Sequence, residues 1–190
     1  MSSLTTTDRL KELLPQLFNT EKLEGDYYLR FQLTNEISGL IELKYVQESL
    51  TIKGDRITAV PNLPDYVVGL MSSKNQVFLA IDLAHLIGLS PETVNSRQYQ
   101  TIVVQIDDAE DNVQSDDLNL FGLTVKNIEG INRITSDRFL TLTDDIPDSL
   151  KPFVKSAVLQ ESKNSTSSIE QKSLLIDITQ LICNKVNSKI

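Results

Sequence analysis

The stretch that decides the fold is Gly69–Leu89, which reads GLMSSKNQVFLAIDLAHLIGL. Its pattern predicts an apolar strand, a turn of two to four residues within Ser72–Gln76, a second strand over Val77–Ile81, and a short helix from Asp82 to Gly88. The Asp82 side chain can accept hydrogen bonds from free amides at the helix start, and Gly88 can adopt the left-handed conformation that ends a helix. Strand, hairpin and helix are therefore expected to form one compact unit.

A second copy of this unit lies near the C-terminus. Ser173–Ile182, SLLIDITQLI, repeats the Ile-Asp-x-x-x-Leu-Ile pattern of Ile81–Ile87. Two more pairs of segments correspond in the same order along the chain, namely 27–33 with 100–106 and 38–52 with 121–134. Because their separations grow along the chain, as loop insertions would produce, these pairs indicate an internal repeat. The repeated segments are short and rich in apolar and β-branched residues, which predicts a mainly β protein. We expect two similar SH3-like barrels of about five short strands each, with short helices.

The repeat also suggests how the chain is organised. Residues 1–24 form an N-terminal extension that is predicted to be partly helical, because its leucines have helical spacing, although Pro15 interrupts the pattern. Residues 25–185 form the folded domain, with a first barrel at 27–90 and a second at 99–183. Whether terminal strands are exchanged between the barrels is left open by the sequence.

Composition narrows the function classes. The chain of 190 residues has a net charge of -8 and a pI near 4.7, and its basic residues are scattered. This charge argues against binding to nucleic acid and against direct binding to an anionic membrane. A single cysteine fits a reducing compartment, and no secretion signal or long apolar run is present, so a cytosolic protein is expected. The thiol of Cys183, next to Ile182, is expected to be buried.

Residues for catalysis are scarce. The only histidine, His85, is expected on the solvent face of its helix, and the seven glycines never form a Gly-x-Gly phosphate loop. The strongest chemical alternative is the acidic segment 107–117, DDAEDNVQSDD, because hard cations prefer clustered carboxylates. Its spacing lacks the calcium-loop pattern, but a cation- or small-ligand-binding regulatory module remains the alternative function. By elimination, a binding protein without catalytic activity or cofactor is favoured.

Four motifs in order resemble the CheW-like domain, the scaffold of bacterial chemosensory arrays. Val60–Gly69, VPNLPDYVVG, is similar to the family's Val-Pro-Asn-x-Pro-x-x-Ile-x-Gly segment, and Val77–Leu83 resembles its strand ending in Ile-Asp-Leu. Val46–Glu48 resembles its Val-x-Glu strand, and Phe121–Leu123 resembles the matching strand of the second barrel. The resemblance covers Tyr27–Ile182.

The resemblance implies a non-catalytic adaptor. Such a protein would couple methyl-accepting chemoreceptor signalling tips to the regulatory domain of a CheA-like histidine kinase, in a chemotaxis-like, pilus-motility or phototaxis pathway. It would be cytoplasmic and recruited to membrane-associated receptor arrays, without nucleic acid and without direct membrane insertion. A divergent member that caps or inhibits arrays is a further alternative, because the hairpin reads Ser-Ser-Lys-Asn where the family usually has Asn-Leu-Arg-Gly.

The resemblance also implies partner-binding residues. Val46 and Glu48 match positions associated with kinase contact, and the hairpin associated with receptor and kinase binding contains Gly69, Lys74 and Asn75. Ile102, at the start of the second barrel, is expected to line the receptor groove. By residue type alone, Val46 could instead be a buried strand residue, and Glu48 and Lys74 could be solvated charges.

Overall fold

The computed structural model describes residues 24–89, 97–106, 120–141, 146–161 and 170–185. The predicted N-terminal helix and the acidic segment 107–117 lie outside these residues. The described chain is mainly β, and its elements are β1 (Asp26–Gln32), β2 (Ser38–Glu42), β3 (Val46–Lys53), β4 (Val67–Ser73), β5 (Gln76–Asp82), α1 (Leu83–Leu86), β6 (Gln98–Gln105), β7 (Leu120–Val125), β8 (Asn127–Ile134), β9 (Phe139–Leu140), β10 (Val154–Glu161), β11 (Glu170–Ile176) and α2 (Ile178–Lys185).

The strands form two sheets with corresponding orders. One sheet has the order β3-β6-β7-β5-β4, and the other has the order β8-β1-β2-β11-β10-β9. The first repeat contributes β1 and β2 to the six-stranded sheet, whose other strands come from the second repeat. The second repeat contributes β6 and β7 to the five-stranded sheet, whose other strands come from the first repeat. The exchange that the sequence left open is therefore reciprocal. In each sheet one parallel pair joins the repeats, β5 with β7 and β11 with β2.

The sheets differ by one short strand. The first has the predicted five strands, whereas the second gains the two-residue β9, which pairs with β10. At the corresponding place in the first sheet, Thr58 and Leu70 form only a single bridge. The prediction of a mainly β fold with two similar subdomains is confirmed.

The repeat extends to the helix caps. The Asp82 carboxylate accepts a hydrogen bond from the amide of His85 at 3.0 Å, and the Asp177 carboxylate accepts one from the amide of Gln180 at 3.1 Å. Gly88 has a φ of 81°, the left-handed conformation expected after α1. The predicted start and end of this helix are confirmed.

Three clusters of buried hydrophobic residues stabilise the two subdomains. Each sheet curls around a small core of its own, with Met71 and Phe78 in the five-stranded sheet and Leu40 and Val158 in the six-stranded sheet. The largest cluster contains residues of both sheets and both helices, so it joins the two subdomains. This shared core is consistent with the exchange, because strands of both repeats bury side chains in it.

The expectation for Cys183 is wrong, since this residue is exposed. On α2 the buried positions are Ile178, Leu181 and Ile182, at the spacing that places side chains on one face of a helix. Cys183 is one residue beyond that face and points outward. No helix in the described part of the chain is long and apolar enough to cross a bilayer.

Candidate partner-binding site

The hairpin between β4 and β5 has a two-residue turn. Lys74 and Asn75 have φ angles of 46° and 66°, and Ser73 pairs with Gln76 to close the turn. Two consecutive left-handed residues are typical of the tight hairpin turns that match strand twist, and asparagine tolerates this conformation well. The predicted turn is confirmed, and it holds Lys74 and Asn75 exposed at its tip.

The strand β3 begins with an irregularity that places Val46 and Glu48. Val46 pairs with Val104 and Glu48 with Val103, so an extra residue is inserted between them. Such a bulge changes the direction of neighbouring side chains. Val46 is half-buried and packs against the shared core. Glu48, in contrast, points towards the hairpin.

Glu48 and Lys74 form an ion pair, with Oε2 and Nζ 2.7 Å apart. Because β3 and β4 are at opposite ends of the strand order, this contact requires the five-stranded sheet to curl until its edges approach. The side chain of Glu48 is only 17% exposed, whereas that of Lys74 is 73% exposed. Two hydrogen bonds hold the pKa of the Glu48 carboxyl below its usual value of 4.5. The bond from Lys74 has the larger effect, and the bond from the Ser73 side chain adds to it.

This shift in pKa predicts a pH dependence. A carboxyl with a lowered folded-state pKa contributes stability above its unfolded pKa and loses it as the pH falls through the folded value. The free energy of unfolding of the wild type should therefore exceed that of Glu48→Gln at pH 7, by about 1 kcal/mol or less because Lys74 is exposed. The difference should shrink below pH 4.5. Urea denaturation at several pH values measures it.

Glu36→Gln is the control for this prediction, because it replaces a glutamate with a glutamine at an exposed turn. A difference between wild type and Glu48→Gln that stays constant from pH 7 to pH 3 would contradict the role of the ion pair.

Two of the partner-binding residues implied by the resemblance, Ile102 and Gly69, are buried in the structure. Ile102 is fully buried in the shared core, so its side chain does not reach the surface of this chain. Gly69 lies in β4 with a φ of 146°, and a Cβ atom there would be 2.6 Å from the carbonyl oxygen of Thr58. Any effect of these two residues on binding would be indirect, through the position of the strands.

The sequence did not single out two residues of the hairpin. Ser73 hydrogen-bonds to Glu48, and Val77 is 61% exposed, which is unusual for a large apolar side chain in a strand. The alternation with buried Phe78 was the available signal, because neighbouring strand residues face opposite sides of a sheet. Val77 gives the charged hairpin an apolar contact surface.

In the described part of the chain, the residues considered as catalytic or metal-binding candidates do not form a catalytic or metal site. His85 is half-buried, in contrast to its exposed counterpart Gln180, because it lies in a cleft of about 600 Å³ with Tyr66 and Ser149. Its Nδ1 atom has no hydrogen-bond partner among the described residues. Nor do the described His, Cys, Asp and Glu side chains form a group of three that could hold a metal ion.

The exchanged sheets define a two-subdomain β protein, and the ion pair joins the hairpin of one sheet to β3. Residues 28–183 match the model of the CheW-like domain, and the chain therefore belongs to the CheW-like family. This result confirms the resemblance carried by the motifs. The family is one of non-catalytic chemotaxis scaffolds that in general couple chemoreceptors to the CheA kinase.

A solved structure has the same fold. The crystal structure of the scaffolding protein TtCheW from Thermoanaerobacter tengcongensis is similar to the chain with a TM-score of 0.62 and 16% sequence identity, over 83% of this chain and 92% of that protein. At this identity the likeness shows the fold alone. No curated protein matches the chain by sequence.

Proposed function

We propose that this chain is a non-catalytic adaptor that couples methyl-accepting chemoreceptors to the regulatory domain of a CheA-like histidine kinase. The pathway is a chemotaxis-like or pilus-motility system, and the protein acts in the cytoplasm at membrane-associated receptor arrays. One observation carries the proposal: the ion pair between Glu48 and Lys74 joins two separate motif positions for partner contact into one surface.

The physical character of this surface supports binding of a protein partner. Lys74 and Asn75 are exposed at the turn, and Val77 adds apolar area beside them. Lysine keeps the positive charge of the family's arginine but lacks the planar group that binds a carboxylate at two points. A small interface of this kind, near or below ~1,200 Å² in total, depends on a few residues, so single substitutions should have measurable effects.

Lys74→Glu is expected to weaken binding to the kinase regulatory domain or the receptor tip by about tenfold, because it places two carboxylates together and reverses an exposed charge. The charge swap Glu48→Lys with Lys74→Glu restores the internal ion pair with the signs reversed. If the partner recognises these charges, the swap restores stability but not affinity. Calorimetry with purified partners measures the affinities, and urea denaturation measures the stabilities.

Lys151→Glu is the matched control, because Lys151 also pairs with a carboxylate, Asp148, at 2.7 Å and the net charge changes equally. Recovery of neither a CheA-like kinase nor a receptor from native cytosol by the wild type would overturn the adaptor proposal. Affinity retained by Lys74→Glu would remove the hairpin from the binding surface. A fall in reconstituted kinase activity on adding the wild type would favour an array inhibitor.

A further inference from the structure

A groove of about 450 Å³ lies between the second half of β3 and the end of β4. Three of its lining side chains are basic and none is acidic, in a chain with a net charge of -8. Three hydroxyl side chains and two apolar side chains complete the lining. The residues are Leu50, Thr51, Ile52, Lys53, Arg56, Ser72, Ser73 and Lys74.

The cations of this groove differ in their partners. Lys74 is paired with Glu48, whereas Lys53 and Arg56 are exposed and form no ion pair with the described residues. One carboxylate, Asp55, is adjacent in the same 3-10 turn but does not line the groove. The groove therefore offers two positive charges to a negatively charged ligand.

Among the described residues, no strand pairs with the outer backbone edge of β3 at this groove. The strands β3 and β4 are the two edges of the five-stranded sheet, and no ladder joins them. On the β4 side, an isolated bridge joins Thr58 and Leu70, with hydrogen bonds of 2.8 and 2.9 Å. An edge strand presents N–H and C=O groups that can pair with an added strand, and specificity then comes from alternate side chains of that strand.

We infer that this groove binds an extended acidic segment of a partner protein. The segment adds to the free edge of β3, and carboxylates at alternate positions meet Lys53 and Arg56. Charge complementarity favours an acidic segment, and the unpaired edge favours an extended one. The inference does not require this partner to be the kinase or the receptor.

The six-stranded sheet provides a matched control. Arg56 ends the 3-10 turn Gly54–Arg56, and Arg138 ends the corresponding turn Ser136–Arg138, with an aspartate before each arginine. Both arginines are exposed. Arg56→Glu and Arg138→Glu therefore make the same change at equivalent positions, only one of which lines the groove.

The test uses the full chain and a blocked, fluorescently labelled hexapeptide of alternating glutamate and valine. The acidic peptide should bind and shift the amide resonances of Thr51 and Lys53, whereas a lysine–valine peptide should not bind. Arg56→Glu, or Lys53→Glu, should weaken binding by about tenfold, and Arg138→Glu should leave it unchanged. Lys74 is unchanged in these variants, so the result is independent of the adaptor test.

Three outcomes would overturn the inference. The first is no binding of the acidic peptide at about 1 mM. The second is an equal effect of Arg56→Glu and Arg138→Glu, which would indicate attraction to net charge alone. The third is full displacement of the peptide by an equal concentration of inorganic phosphate, which would indicate a simple anion site without strand pairing.

Discussion

Ile102→Ala is expected to lower the free energy of unfolding by about 2–5 kcal/mol, because it removes methylene and methyl groups from a fully buried side chain and leaves a cavity. Ile102 lies in β6, opposite Ser49 of β3, and belongs to the core that both subdomains share. Loss of its side chain therefore weakens the contact between the sheets as well as the sheet itself. Urea denaturation followed by circular dichroism measures the change.

Ile131→Ala is the control for Ile102→Ala, because it makes the same change in a strand where isoleucine is 58% exposed. We expect it to alter the free energy of unfolding by about 0.5 kcal/mol or less. Equal losses for the two variants would contradict the assignment of Ile102 to the core. Ile102→Val should cost only about 0.5–1.5 kcal/mol and keep partner affinity, whereas a groove contact would lose affinity without loss of stability.

Gly69→Ala is expected to destabilise the protein through two separate effects. With a φ of 146°, an alanine would adopt a conformation that costs about 1–3 kcal/mol for a residue with a side chain. Its Cβ atom would also lie 2.6 Å from the Thr58 carbonyl oxygen and 2.8 Å from a methyl group of Ile57. Relief of that contact requires movement of the backbone that bridges to Leu70, so thermal and urea denaturation should both show a large loss.

Gly130→Ala separates the two effects. Gly130 has a similar φ of 134°, but nothing lies within 4 Å of its added Cβ atom. The loss of stability in Gly69→Ala should therefore exceed that in Gly130→Ala, and the excess measures the contact with Thr58. Equal losses would show that the backbone conformation alone explains the loss of stability in Gly69→Ala. Binding by Gly69→Ala must then be measured on the folded fraction.

The geometry of the candidate site was predictable from the sequence only in part. The motifs identified Glu48 and Lys74 one at a time, and the Lys74-Asn75 turn followed from local chemistry. Their contact was not predictable, because it depends on the curl of a sheet in which β3 and β4 are the two edges. The burial of Ile102 was not predictable for another reason: this residue belongs to a continuous apolar run, Ile102–Val104, in which periodicity does not show which face meets the core.

The sequence by itself determined the local structure that repeats: the hairpin, the short helix capped by Asp82, its second copy capped by Asp177, and the mainly β fold with two subdomains. These features depend on hydrogen bonds and side-chain alternation between residues close in the chain. Only the tertiary structure decided that the repeats exchange their first two strands. That choice depends on which apolar faces bury together in the shared core, and the nearly equivalent strands of two similar repeats do not distinguish the alternatives locally.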